Sequence, residues 1–178
     1  PGKSTAEGEN DRLQFDLIDM ANTDPRNPNR FALVGIDVFS RELVAKPMES
    51  KTAAEVNEAF QETVGELVDD DTNYVVSTDQ GREFARLDEA LPEEAVHRTK
   101  DPDDKNVLAV LDANMKTLKV DLASRVAKDG RDWNVELPKV VKAWNNKPHD
   151  AVYGPPSQIE SKDGGDNPQM FRVMQDNA

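Results

Sequence analysis

The sequence predicts a mixed α/β layer fold, and three observations carry that prediction. Apolar, strand-like runs come first: Leu13 to Met20, Phe31 to Phe39 and Leu43 to Met48. Long helical periodicities come last, from Asp104 to about Lys128 and from Asp132 to Trp144. Between them, one amphipathic helix separates the first three strands from a fourth at Tyr74 to Ser77. Strands first and helices after, with one helix between, pack as a sheet covered by helical layers.

Taken in order, residues 1–12 are small, polar and charged without periodicity and read as a flexible leader. The first strand ends in the turn-rich stretch Asn22-Thr23-Asp24-Pro25-Arg26-Asn27-Pro28-Asn29. The second is apolar enough to be buried on both faces. A tight turn at Ser40-Arg41-Glu42 leads into the third, which completes a meander. Thr52, with Glu55 three residues on, marks a helix start, and Val56, Ala59, Phe60, Val64 and Leu67 recur at helical spacing behind it. Phe84 to Leu91 reads as a short helix and Ala95-Val96-His97 as a fifth strand. Leu108, Leu111, Met115, Leu118, Leu122 and Val126 then form one buried stripe along a long helix that Gly130 ends. Asp132 caps a last helix bearing Trp133, Leu137, Val140, Val141 and Trp144, broken at Asn146-Lys147-Pro148. Residues 13–160 make one domain, and 161–178 read as linker or tail.

Composition narrows the function. The 178 residues contain no cysteine, so there is no disulfide framework and no thiolate zinc site, and a reducing, intracellular setting fits. No apolar stretch approaches the roughly 20 residues that span a bilayer, and no membrane role is expected. A start at Pro1 rather than methionine is what a segment excised from a longer protein would have, so further domains are expected outside it. The net charge of −13 runs against a nucleic-acid-binding surface, unless the acids lie away from the substrate or other domains supply the grip.

Three carboxylates stand in settings that present an acid to a metal. Asp79 follows the apolar run Tyr74-Val75-Val76-Ser77-Thr78 and enters the glycine-containing turn Gln80-Gly81-Arg82-Glu83-Phe84. Asp16 lies in Leu13-Gln14-Phe15-Asp16-Leu17, and Asp112 on the helix Val107-Leu108-Ala109-Val110-Leu111-Asp112. Brought together from two strands and a helix, they would hold a pair of divalent ions, the equipment of phosphodiester chemistry. Asp37, at the end of a buried strand, reads instead as a turn or hydrogen-bonding residue, Asp19 as exposed, and Glu83 as structural or solvated. Asp103 and Asp104 suit the start of a helix. Trp133 and Trp144 are expected in the core or a subunit interface, and His149 in a capping or packing role.

These segments, with Leu33-Val34-Gly35-Ile36-Asp37-Val38-Phe39-Ser40-Arg41 and Trp144-Asn145-Asn146-Lys147-Pro148-His149, occur in the order seen in retroviral and retrotransposon-type integrase catalytic cores. The chain resembles that family, which belongs to the DDE transposase superfamily, from about Leu13 to Ile159. The resemblance implies an RNase H-like fold with a mixed sheet of about five strands. It also implies Asp16, Asp79 and Asp112 as catalytic acids and metal ligands, with two Mg²⁺ or Mn²⁺ ions per site, and Lys116 and Lys119 as residues facing DNA phosphate. The third acid is usually glutamate in the family. Here it is aspartate, and only 32 residues separate it from Asp79, a shorter spacing than usual. DNA and a second copy of the chain are the implied partners, with the Trp144 helix and the lysine-bearing helix as candidate dimer surfaces. The implied location is intracellular, nuclear in a eukaryote, or virus-associated. Two alternatives stand beside this expectation: a domesticated, inactive scaffold and an RNase H-type nuclease. For Lys116, the alternative is an ordinary helix-face ion pair with Asp112.

Overall fold

The structure is a computed structural model, and it describes residues 6, 8–69, 72–101, 108–159 and 167–177. Five strands form one sheet: β1 (Arg12–Asp19), β2 (Phe31–Asp37), β3 (Leu43–Met48), β4 (Tyr74–Thr78) and β5 (Ala95–Thr99). Their spatial order is β3-β2-β1-β4-β5. The meander β1–β3 is antiparallel, whereas β4 and β5 run parallel to β1. Helix α1 (Ala53–Leu67) connects the two halves, and α2 (Ala109–Asp129), α3 (Trp133–Asn146) and α4 (Pro168–Asn177) follow the sheet.

Strand periodicity sorts side chains onto two faces. Leu13 and Phe15 of β1 and Leu33 of β2 pack with Val56, Ala59, Phe60 and Leu67 of α1. Ile18 of β1, with Ala32, Val34 and Ile36 of β2, packs instead with Leu111, Leu118 and Leu122 of α2 and Trp133, Leu137 and Val140 of α3. Even-numbered β1 residues, Gln14 and Asp16 among them, therefore belong to the α2/α3 face. A third cluster joins Val38, Phe39, Val152 and Ile159 to Val173 of α4 and to Ala6.

Local chemistry explains the helix positions. Thr52 accepts from the Glu55 N–H at the start of α1, while the Glu55 carboxylate accepts from the N–H groups of Glu49 and Ser50. Asp132 caps α3 by accepting from the Asn134 N–H at 2.9 Å. Asn27, in the β1–β2 loop, donates to that same Asp132 side chain and accepts from the Asn134 amide, which ties the loop to the helix start. Gly130 closes α2 in the left-handed conformation, φ 59°, where a Cβ would be strained. Glu136 of α3 is buried yet meets Arg125 Nη1, Arg131 Nη1 and Lys139 Nζ at 3.1, 3.3 and 3.2 Å, so the cost of burying its charge is offset by three cations.

One expectation changes in detail. Phe84 to Leu91 is not one short helix but two single 3₁₀ turns, Arg82–Phe84 and Leu87–Ala90, which bury Phe84 and Leu87 in the α1 face. Helix α2 is described from Ala109. Asp103 and Asp104, expected at its start, lie outside the described residues, as do residues 160–166 of the expected linker. Among the described residues no helix is long and apolar enough to cross a membrane.

Gly35 is required by a close approach. It pairs with Phe15 across β1 and β2, and a Cβ there would stand 2.4 Å from the Phe15 ring. That ring in turn meets Phe60 edge-on, with centroids 5.0 Å apart. Gly35→Ala is expected to push Phe15 off its rotamer and cost about 1–3 kcal/mol in chemical denaturation. Pairing it with Phe15→Leu should recover part of that loss, a non-additivity that independent sites would not give.

Candidate active site

Asp16 and Asp79 are set side by side by strand register. β1 and β4 pair in parallel through Arg12↔Val75, Leu13↔Val76 and Gln14↔Ser77, and carrying that register two residues further sets Asp16 opposite Asp79. Both then point to the α2/α3 face, because Tyr74 and Val76 take the α1 face. Each carboxylate is oriented by its own backbone. Asp16 Oδ1 accepts from the Leu17 N–H, and Asp79 Oδ1 from the Gly81 N–H, both at 2.8 Å. A Cβ at Gly81 would fall 2.8 Å from Asp79 Oδ1 and 2.6 Å from Glu83 Cδ, so a side chain there would push the two carboxylates from these positions.

The third acid arrives through Gln14. Helix α2 has no side-chain cap at its own N-cap residue, Leu108. In its place the buried Gln14 Oε1 accepts from the Leu111 N–H at 2.8 Å, filling one of the unpaired donors of the first turn. Gln14 lies two residues before Asp16, and Leu111 one before Asp112, so a single hydrogen bond sets the helix acid beside the strand acids. Nothing in the local sequence marks Gln14 for this task, since its partner lies 97 residues away.

The electrostatics confirm the juxtaposition. Loss of water around Asp16 pushes its carboxyl from the ordinary 3.8 up to about 6. The Leu17 N–H works against that shift, and repulsion from Asp79, Asp112 and Glu83 adds to it. Glu83, expected to be structural or solvated, is thus part of the same negative field. Asp112 is half exposed and faces Lys100, with Nζ 3.9 Å from Oδ2. That contact takes the place expected for Lys116. Lys116 and Lys119 are exposed on α2, four and seven residues beyond Asp112.

Behind Asp79, Thr78 Oγ1 donates to the Asp79 carbonyl at 2.9 Å and lies 2.7 Å from His97 Nε2. That second contact ties β5 to the end of β4, while His97 Nδ1 faces Asp88 Oδ1 at 3.5 Å. Asp37 is fully buried and accepts from the N–H groups of Asn10, Phe39 and Ser40, so it holds the β2–β3 turn. Asp19 is exposed and accepts from the Ala21 N–H. His149 stacks on Trp144 with ring centroids 4.4 Å apart, its Nε2 3.0 Å from the Trp144 carbonyl at the end of α3.

Among the described residues no three His, Asp or Glu side chains stand where they could together hold a metal ion. The donor chemistry nevertheless suits a hard divalent cation, because the groups that act on Asp16 here are carboxylates, the oxygen ligands such an ion takes.

Comparison with known proteins agrees with this architecture. The structure superposes on a chain of the simian T-cell lymphotropic virus intasome in complex with the PP2A regulatory subunit B56 gamma, with TM-score 0.74 and 16% identity. That match covers 94% of this chain and 60% of the viral one. The catalytic core domain of BIV integrase matches with TM-score 0.64 and 18% identity, over 84% of this chain and 93% of its own. The HTLV-2 integrase catalytic core domain in complex with magnesium matches with TM-score 0.65 and 15% identity, over 85% and 96%.

The chain has the fold of a retroviral integrase catalytic core.

A sequence relative points the same way. An uncharacterized transposon-derived protein of Caenorhabditis elegans is 31% identical over 136 residues, covering 75% of this chain and 46% of that protein. The integrase-type core therefore spans about half the length of the curated relative it matches. No family model matches the sequence.

Two outcomes follow from the site's construction. Gln14→Leu leaves the Leu111 N–H buried and unpaired, and is expected to cost about 1–3 kcal/mol in urea denaturation. Asp16 titrates near its ordinary value when unfolded, so its stabilising contribution is complete below about pH 4 and is lost as pH rises through about 6. In metal-free buffer at pH 7, Asp16→Asn should therefore be more stable than the parent by on the order of 2 kcal/mol. At pH 4 the gap should close, and an equal gap at both pH values would contradict the assigned shift.

Proposed function

We propose that the chain is the catalytic core of a DNA integrase or transposase, performing phosphodiester hydrolysis and DNA strand transfer. The observation that carries this reading is the meeting of Asp16, Asp79 and Asp112 at one end of the parallel strands, where Asp16 responds to the charge of both others. In this reading the three aspartates would hold two Mg²⁺ or Mn²⁺ ions, which stabilise charge on the attacking and leaving oxygens of a displacement at phosphorus.

The chain's own residues supply the positioning. The Leu17 and Gly81 N–H groups each occupy one oxygen of Asp16 and Asp79, which fixes the carboxylate planes and leaves the second oxygen of each for a ligand. Asp112 is shorter than the family's usual glutamate, and the Gln14 anchor holds the start of its helix against β1. The nucleophile is water for hydrolysis and a DNA 3′-hydroxyl for strand transfer. Neither step needs a covalent protein intermediate. Lys116 and Lys119 extend from the same helix as Asp112 and serve as contacts to DNA phosphate. Oligomerisation and additional DNA-binding domains belong to the same reading, and the half-length match to the transposon-derived relative supports a longer whole protein.

A disintegration assay on branched DNA, with Mg²⁺ or Mn²⁺, tests the proposal. Resealed product is expected from the parent chain and should fall at least about 100-fold in Asp79→Asn and in Asp112→Asn, as when a transition-state charge stabiliser is removed. Cleavage confined to RNA-containing strands would favour an RNase H-type nuclease. No product from a folded protein with either metal would favour the scaffold reading, which the charge of −13 and the aspartate at position 112 already motivate.

A further inference from the structure

Lys100 is the cation that no sequence motif singled out and that the fold delivers to the carboxylates. Its N–H donates to the Thr78 carbonyl at 2.8 Å, which continues the β4–β5 ladder by one residue past Thr78↔Thr99. The backbone of Lys100 is thereby fixed beside Asp79, at the carboxyl ends of parallel strands, where open α/β sheets bind ligands. Its side chain is only 25% exposed and turns toward α2, with Nζ 3.9 Å from Asp112 Oδ2. At that distance the two groups attract without a hydrogen bond, so the ammonium retains donors for another oxygen.

The surroundings say which oxygen. Asp79, Asp112 and Glu83 each act on Asp16 as like charges, so carboxylates predominate around it. An ammonium held there neutralises part of that field, and a partly exposed pair of this kind is weak enough to exchange partners. A lysine also suits phosphate as a compact point charge on a flexible stem. Within an integrase-type reading of the site, on which this inference rests, we infer that Lys100 is a DNA-phosphate-binding residue of the active site, held against Asp112 until DNA and metal arrive. It then gives up Asp112 to the metal and takes a backbone phosphate oxygen of the bound strand. Lys100 thus differs from Lys116 and Lys119, which lie on the exposed flank of α2 and, among the described residues, meet no carboxylate within ion-pair distance.

Two measurements that need no turnover test this. The first is calorimetric titration of Mn²⁺ into the metal-free protein without DNA. Lys100→Gln removes an internal competitor for Asp112 and should bind Mn²⁺ about two- to five-fold more tightly, whereas Lys100→Arg should stay close to the parent. The second is binding of a branched DNA in Ca²⁺ buffer as a function of salt. Lys100→Gln should reduce the slope of log K against log salt by about one phosphate contact, and Lys100→Arg should retain it. An unchanged slope in folded Lys100→Gln, beside a parent that binds with ordinary salt dependence, overturns the role of Lys100 and leaves the integrase reading standing. A folded parent that shows no salt-dependent DNA binding overturns both.

Discussion

The hydrogen bond from the Leu111 N–H to the Gln14 side chain is the contact on which the candidate site depends. Gln14 sits in the middle strand of the sheet, 1% exposed, between two residues that bury apolar side chains on the opposite face. A polar side chain in that position is costly unless paired. Its pairing with a helix start satisfies both groups at once, since the first turn of α2 has no side-chain cap of its own. The strand acid and the helix acid follow from it, because each lies within two residues of a partner in this bond.

Charge in this protein is distributed by pairing as much as by number. Glu136 gathers Arg125, Arg131 and Lys139 at the α2–α3 contact, and there the cations outnumber the carboxylate. At the ends of β1 and β4 the balance is reversed, with carboxylates crowding one another and Lys100 set against Asp112. Both clusters draw on α2, and they do opposite things. One is satisfied and holds helices together, whereas the other is left with a net negative field that an external cation would relieve.

Most of the architecture was legible in the sequence because it is written in short-range periodicity. The apolar runs of β1 and β2, the stripe from Leu108 to Val126, and the caps at Thr52 and Asp132 each need only a few neighbouring residues to be recognised. Asp79, where β4 gives way to a turn, and Asp112, in the first turn of α2, stand in settings that a few neighbouring residues mark, whereas Asp16 lies inside β1 and was joined to them by the order of motifs along the chain. The anchor at Gln14, the Thr78–His97 tie and the approach of Lys100 to Asp112 were not legible. Each joins residues distant in sequence, and a single glutamine, histidine or lysine carries no local mark of a remote partner. The stretch around Phe84 misled for a different reason: Phe84 and Leu87, three residues apart, fit a helical stripe, but successive 3₁₀ turns bury them equally well.

The order in which these contacts can form has its own consequence. The β1–β3 meander closes through short loops, and antiparallel neighbours of this kind are the contacts a folding chain reaches first. β4 can join β1 only after α1 has been laid down, and α2 only by closing a span of 97 residues onto Gln14. The three acids therefore come from an early, an intermediate and a late stage of assembly. A partly folded chain holds one or two of them at most, so any chemistry that needs all three is withheld until the domain is complete.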